Sequence, residues 1–468
     1  VDAYGNIADG DNGATAYAGS KTIAYSLSGT ANGPDSGVDS FTTAVTFSTG
    51  ESTTALATTL YRKQNTSITA DASDLAGTDV VSNTITVNAA AANKLKYSVN
   101  PPASVVSGAT WTSFDVSIYD TYGNLRGSGT DTIAISEDGA VGVFSGTASK
   151  AAVNGTATFN DISYNVAESI NVTASSATVT NPAGAFAVSV TAGAVSYLKV
   201  TAGAASMTAG GTLELTITAY DTNNNVATGY TGNKSLTFSG LANAPDGTVP
   251  TVEAVNQGTP VTVAFTSGAS NANAATLIAY KAEIPFLDVT DGTNNSDGNA
   301  GYDLDLTVLH VAADYLGVVA PAGPQVAGTS FNLTSIKAYD RYGNLTDGGN
   351  GATAYSGAKT LTYTFSGTAN GPDSGVDTYT TAVSFTAGIS TTVLATKFHK
   401  AQSSVTLSAD DAALANNVAN AASAAFHVRH GASDHIKFSA NISTPQAAGT
   451  EFNLSSLKAV DIYGNIAD

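Results

Sequence analysis

The feature that most constrains this chain is a short motif that returns at domain-sized intervals. Val1-Asp-Ala-Tyr-Gly-Asn6, Tyr119-Asp-Thr-Tyr-Gly-Asn124, Tyr220-Asp-Thr-Asn-Asn-Asn225, Tyr339-Asp-Arg-Tyr-Gly-Asn344 and Val460-Asp-Ile-Tyr-Gly-Asn465 share one frame. Their aspartates stand at 2, 120, 221, 340 and 461, so the intervals are 118, 101, 119 and 121 residues. Self-similarity at that period means an array of similar modules rather than one large core. A second landmark keeps the same beat, because Leu95, Leu198, Leu316 and Ile436 each open a short apolar run.

The repeated segments carry the two-residue period of half-buried strands. In Leu213-Glu-Leu-Thr-Ile-Thr-Ala219 the apolar positions 213, 215 and 217 alternate with polar ones, and Phe114, Val116 and Ile118 do the same. Each run stops at the Asp/Asn-rich motif, where those side chains bond their own backbone and favour a turn. Leu361-Thr-Tyr-Thr-Phe365 and Val383-Ser-Phe385 read as further strands. Seven Glu against thirty Asp argues against helices, since Glu favours helices and Asp turns. About seven short strands per module is the signature of an antiparallel β-sandwich. The expected fold is therefore all-β, a rod of tandem Ig-like antiparallel β-sandwich domains. The domains are 1–94 (lacking its first two strands), 95–197, 198–315, 316–435, and 436–468 as the first two strands of a further one.

The first and fourth modules are near copies. Asp9 to Gly50 and Asp347 to Gly388 align without a gap and match at 30 of 42 positions. Both contain Gly-Thr-Ala-Asn-Gly-Pro-Asp-Ser-Gly-Val-Asp, at 29–39 and 367–377, and 198–315 keeps a looser Leu241-Ala-Asn-Ala-Pro-Asp-Gly247. The 95–197 module lacks it. Val1 to Asp9 matches Val460 to Asp468 at eight of nine positions, so the sequence starts and stops at the same phase of its repeat. Two readings follow: a stretch of a longer array, which is the favoured one, or C-terminal strands that complete a neighbour's first module.

Composition removes several functions. A net charge of −19, with 18 Lys and Arg spread along the chain, offers no phosphate-binding surface for nucleic acid. No apolar stretch is long enough to span a bilayer. The absence of cysteine excludes disulfides and thiolate metal sites, and 43 % hydrophobic residues are enough for packed cores.

Ala338-Tyr-Asp-Arg-Tyr-Gly-Asn344, together with Gly229-Tyr-Thr-Gly232 and Leu236-Thr-Phe238, resembles the bacterial Ig-like repeats (invasin/intimin-like, Big-type) of large secreted surface and fibre proteins. The resemblance covers essentially the whole chain and implies an extracellular home and modules without catalytic residues. The expected role is a structural subunit of an extracellular filament, sheath or S-layer. Its partner would be itself, in a head-to-tail homopolymer or longer repeat array. The alternative is the stalk of a giant cell-surface adhesin. An enzyme is not expected, since no G-x-S-x-G, H-E-x-x-H or phosphate-binding loop occurs.

Three constellations remain. Asp288, Asp291, Asp297, Asp303 and Asp305 form an Asp/Asn/Gly-rich stretch of the kind that supplies oxygens to calcium, and Asp71, Asp74 and Asp79 occupy the matching place in 1–94. The same residues are also common turn formers. His427, His430, Asp434 and His435 suggest a transition-metal site, but 427 and 430 would leave opposite faces of a strand, which favours a polar hinge. Lys21, Lys234 and Lys359 each share a strand face with apolar residues, a pattern open to an isopeptide staple or to a lysine lying over the core rim.

Overall fold

In the computed structural model, strand Leu213–Tyr220 follows the alternation of its sequence: Leu213, Leu215, Ile217 and Ala219 are buried while Glu214, Thr216 and Thr218 are not. Strand Phe114–Tyr119 buries Phe114, Val116 and Ile118 completely. The structure describes residues 1–77, 79–296 and 301–467. Among them the regular structure is β throughout, apart from two short 3-10 turns at Asp11–Gly13 and Gly349–Gly351. The chain is all-β, and most strand pairs are antiparallel.

Two compact units are present. The first comprises residues 1–193 together with 221–225, and the second comprises 194–220 and 226–468. Within the first unit, one core runs from Leu95 to Val190 and is organised around Trp111, Phe114, Phe159 and Tyr164. It lies between a three-stranded sheet containing Phe114–Tyr119 and a five-stranded sheet containing Thr132–Glu137 and Ser169–Ser175. The other core of this unit is small, with only Ile23, Val45 and Ala72 buried among the described residues. The second unit holds a core from Leu198 to Val308 and another from Leu316 to Val428.

A recurrent closure defines each of the three full cores. A short N-terminal segment pairs in parallel with the last strand: Ser104–Val106 with Ser189–Thr191, Ser206–Thr208 with Thr307–Leu309, and Gln325–Val326 with Val428–Arg429. The parallel contact closes one edge of each sandwich and leaves fewer unpaired backbone groups there. The segment 433–467 is different. Its strands Ser433–Phe438 and Leu457–Asp461 pair with each other, and every residue of the first is exposed.

Core packing sets the expected cost of mutation. Ile217→Ala, at a fully buried position, should destabilise the second unit by about 2–5 kcal/mol through lost burial and a residual cavity. Val153→Ala, at an exposed site, should stay within about 0.5 kcal/mol. Urea denaturation followed by circular dichroism checks both.

Candidate functional site

The recurring motif forms a docked turn. In the second copy the Asp120 carboxylate accepts from the Tyr122 and Asn124 N–H groups at 2.9 Å each through Oδ1. Its Oδ2 accepts from Asn124 Nδ2 and from the Ala90 N–H, both at 2.9 Å. Ala90 belongs to the segment that enters the 95–190 core, so the aspartate holds both its own turn and the linker. A carboxylate with four N–H donors has its main lone-pair sites filled and little left to offer a cation.

The asparagine of the motif reaches outwards. Asn124 Nδ2 donates to the Tyr61 carbonyl at 2.7 Å, and Asn124 Oδ1 accepts from the Lys63 N–H at 2.8 Å. A primary amide used in this way imitates a strand residue, pairing with two backbone groups of the preceding sandwich. The same two bonds recur in the three following copies. Asn225 uses Asn165 and Ala167 at 2.9 and 2.8 Å, Asn344 uses Tyr280 and Ala282 at 2.8 and 2.9 Å, and Asn465 uses His399 and Ala401 at 2.8 Å each. The aspartates likewise each take a linker N–H: Gly193 for Asp221, Val311 for Asp340 and Gly431 for Asp461. Asp120, Asp221, Asp340 and Asp461 are all buried. In the first copy the inner part is preformed, with Asp2 accepting from Tyr4, Asn6 and the Asn6 amide, and the turn is exposed.

Side chains reinforce the contact. The motif's fourth residue packs on the residue whose carbonyl accepts the bond: Tyr122 on Tyr61, Tyr342 on Tyr280, and Tyr463 on His399, with ring centroids 4.6–5.1 Å apart. Three of the motifs also meet the Pro-Asp loop. The N–H groups of Asp35, Asp246 and Asp373 donate to the carbonyls of Tyr122, Tyr342 and Tyr463 at 2.8–3.1 Å. Lys94 and Lys96 pair with Asp35, and Lys437 pairs with Asp373. The lysine contacts hold the Asp35 carboxyl below its ordinary value. A Cβ on Gly123 or Gly464 would strike the side chain of Asp35 or Asp373, and both glycines have positive φ, which is why glycine is required there. The copy Asp221–Asn225 carries Asn224 in that place, and the 95–197 segment on which it docks has no Pro-Asp loop.

At Asp120, Asp221 and Asp461 burial alone would push the carboxyl up, and the hydrogen bonds outweigh it. Ser107, Gly193 and Asn225 bring Asp221 down to about 2, and Asp120 and Asp461 are also lowered by their asparagine and backbone donors.

The other sequence candidates are placed as follows. Asp291 closes a turn on Thr293 and Asn294 and accepts from the Tyr230 hydroxyl at 2.8 Å. Asp288 lies in strand Phe286–Thr290, Asp305 in Leu304–Asp305, and Asp303 in the bend before it. Asp297 lies outside the described residues. Among the described residues no three His, Asp or Glu side chains gather as a metal would require. His427 is exposed, His430 Nδ1 lies 2.7 Å from the Gly431 carbonyl, and His435 contacts Asp434 at 3.0 Å. Lys21, Lys234 and Lys359 each lie over the ring of the tyrosine four residues earlier, at 4.4–4.6 Å. Those tyrosines donate to Asp74, Asp291 and Asp411, and Lys21 also pairs with Asp74 at 2.6 Å.

No protein-family model matches the chain, and no curated protein matches it. Among solved structures, the Escherichia coli adhesin FdeC is 19 % identical over 74 % of this chain and 100 % of its own, with a TM-score of 0.29. The Yersinia pseudotuberculosis adhesin InvE is 14 % identical over 46 % of this chain and 58 % of its own, at 0.22. The S-layer protein SbsC is 15 % identical over 96 % of this chain and 54 % of its own, also at 0.22. The chain thus spans all of the first and little more than half of the other two. TM-scores this low carry no argument about function.

Two outcomes test the latch. Asn344→Ala leaves the Tyr280 carbonyl and Ala282 N–H without their partner, a loss of about 2–3 kcal/mol for two such bonds. Hydrogen exchange at the Ala282 and Val311 amides should accelerate at least about tenfold. Acid gives the second test. Because the folded carboxyls of Asp120, Asp221 and Asp461 titrate below their unfolded value, their contribution is present above that value and is lost as pH falls, towards about 2 for Asp221. Stability should be flat from neutral pH to about 5 and fall below 4; Asp221→Asn should flatten the acid limb.

Proposed function

We propose that this chain is a structural segment of an extracellular filament, sheath or S-layer built from repeated Ig-like sandwiches. The observation that carries the reading is the docked Asp-x-x-x-Asn turn, made four times with the same bonds. A chain used only as a flexible tether has no need of a buried carboxylate and a strand-mimicking amide at each repeat. Latches of this kind within each compact unit suit a load-bearing or lattice-forming part, and open repetition of one contact gives filaments rather than closed rings. The resemblance of the motifs to secreted surface repeats agrees with a location outside the cell. No helix among the described residues is long and apolar enough to cross a membrane. The partner under this reading is a further copy of the same chain.

Calcium at the Asp288–Asp305 stretch is a separate proposal. The latches themselves need none, since backbone and asparagine donors already fill their carboxylates.

Negative-stain electron microscopy of the purified chain, with calcium and then with EDTA, is the test. Uniform filaments or sheets that survive EDTA are expected. Separate particles in both conditions would contradict the assembly reading and leave the chain as an adhesin stalk. Assemblies lost only in EDTA would assign assembly to a metal at the Asp-rich stretch instead of the latches.

A further inference from the structure

The docked turns are not all alike, and the difference lies in the surface that receives them. In the three full cores that surface contains a two-residue step just after the short N-terminal strand: Ser107-Gly108, Ala209-Gly210 and Ala327-Gly328. The N–H of its first residue donates to the end of the last strand, at the Thr191, Leu309 and Arg429 carbonyls, 2.8 Å in each case. The glycine N–H donates to the carbonyls of Tyr164, Ala279 and Phe398 at 2.7–2.8 Å. Those residues immediately precede Asn165, Tyr280 and His399, whose carbonyls accept from the latch asparagines. The step is therefore a seat, bonded to the segment on which the turn docks.

Each seat glycine lies against the fourth residue of the motif. A Cβ on Gly108 would strike the Asn223 amide, one on Gly210 the Tyr342 hydroxyl, and one on Gly328 the Tyr463 ring. The residue before the glycine changes in step with the motif. Where the motif carries Tyr342 or Tyr463 it is Ala209 or Ala327, both buried, and the Pro-Asp loop donates to the tyrosine's carbonyl. Where the motif carries Asn223 it is Ser107, and 95–197 has no such loop. The Ser107 hydroxyl donates to Asp221 Oδ2 at 2.6 Å, and Asn223 Nδ2 donates to the Ser107 oxygen at 3.4 Å. Asp221 thus has a fifth donor beyond the Asn223 and Asn225 N–H groups, the Asn225 amide and the Gly193 N–H.

We propose that these seats select their turn: Ser107-Gly108 fits a motif with asparagine in fourth place, and Ala-Gly beside a Pro-Asp loop fits one with tyrosine. Each mismatch leaves a defect. A tyrosine at 223 would crowd Gly108 with no loop beside it and with Asn165 in the place of a ring. An asparagine at 342 would remove the ring that packs on Tyr280, over an alanine that offers Asp340 no hydroxyl. Selection of this kind comes from rejecting the wrong partner as much as from bonding the right one. It concerns the latches alone and holds whether or not copies of the chain assemble.

Hydrogen exchange of the full chain, read at the latch amides, tests the selection. Asn223→Tyr should speed exchange of the Ala167 and Gly193 amides at least about tenfold, and Ser107→Ala should speed both at least about fivefold. Tyr342→Asn should speed exchange of the Ala282 and Val311 amides at least about tenfold. Adding Ala209→Ser to Tyr342→Asn should slow those two again by at least about threefold, and by less in the wild type, where Tyr342 fills the seat. The Ile135 and Leu215 amides, bonded within the sheets, should keep their protection, which separates a lost latch from a lost fold. Latch amides unmoved by Asn223→Tyr or by Tyr342→Asn would overturn the selection. An equal effect of Ala209→Ser in both backgrounds would overturn the part assigned to Ser107.

Discussion

A buried aspartate held by N–H donors governs how this chain is put together. Burying a lone carboxylate is costly unless hydrogen bonds replace its water. At Asp120 and Asp461 four N–H donors do so, two from the turn, one from the asparagine and one from the linker. The same four donors converge only when the turn is closed, the linker is in place and the asparagine amide is oriented. That orientation is also the one that docks the amide on the preceding backbone. One charge therefore couples local turn geometry to the register of neighbouring sandwiches.

The strands were legible in the sequence for direct reasons. Alternation at Phe114, Val116 and Ile118, and at Leu213, Leu215 and Ile217, reports a strand because burial on one sheet face leaves a two-residue period. The five-fold motif marked the turns. What the sequence hides is the far side of each latch, because Tyr61, Asn165, Tyr280 and His399 are engaged through carbonyl oxygens that every residue possesses. One clue was available. The copy that reads Asn223-Asn224 in place of Tyr-Gly follows the one segment lacking the Pro-Asp loop, which pointed to a contact between glycine and loop.

The Asp/Asn/Gly-rich stretches suggested cations, and the structure gives two of their carboxylates other partners. Backbone N–H groups and tyrosine hydroxyls serve Asp291, and Lys21 and Tyr17 serve Asp74. Sequence cannot separate an aspartate that closes its own turn from one that waits for a metal, since both sit in Asn/Gly-rich stretches. The repeated lysines at 21, 234 and 359 share one placement. The lysine lies over a tyrosine ring on the sandwich rim, where its stem covers apolar surface and its ammonium stays near water.

The claim that the latch fixes one sandwich on the next is tested most directly by a distance distribution across it. The chain has no cysteine, so Val38→Cys and Val153→Cys, both exposed and on either side of the Asn124 latch, can carry the only two spin labels. Pulsed electron paramagnetic resonance should give one narrow distance, which broadens when Asn124→Ala is added. A distribution already broad with Asn124 present, or one unchanged by its removal, would contradict the account.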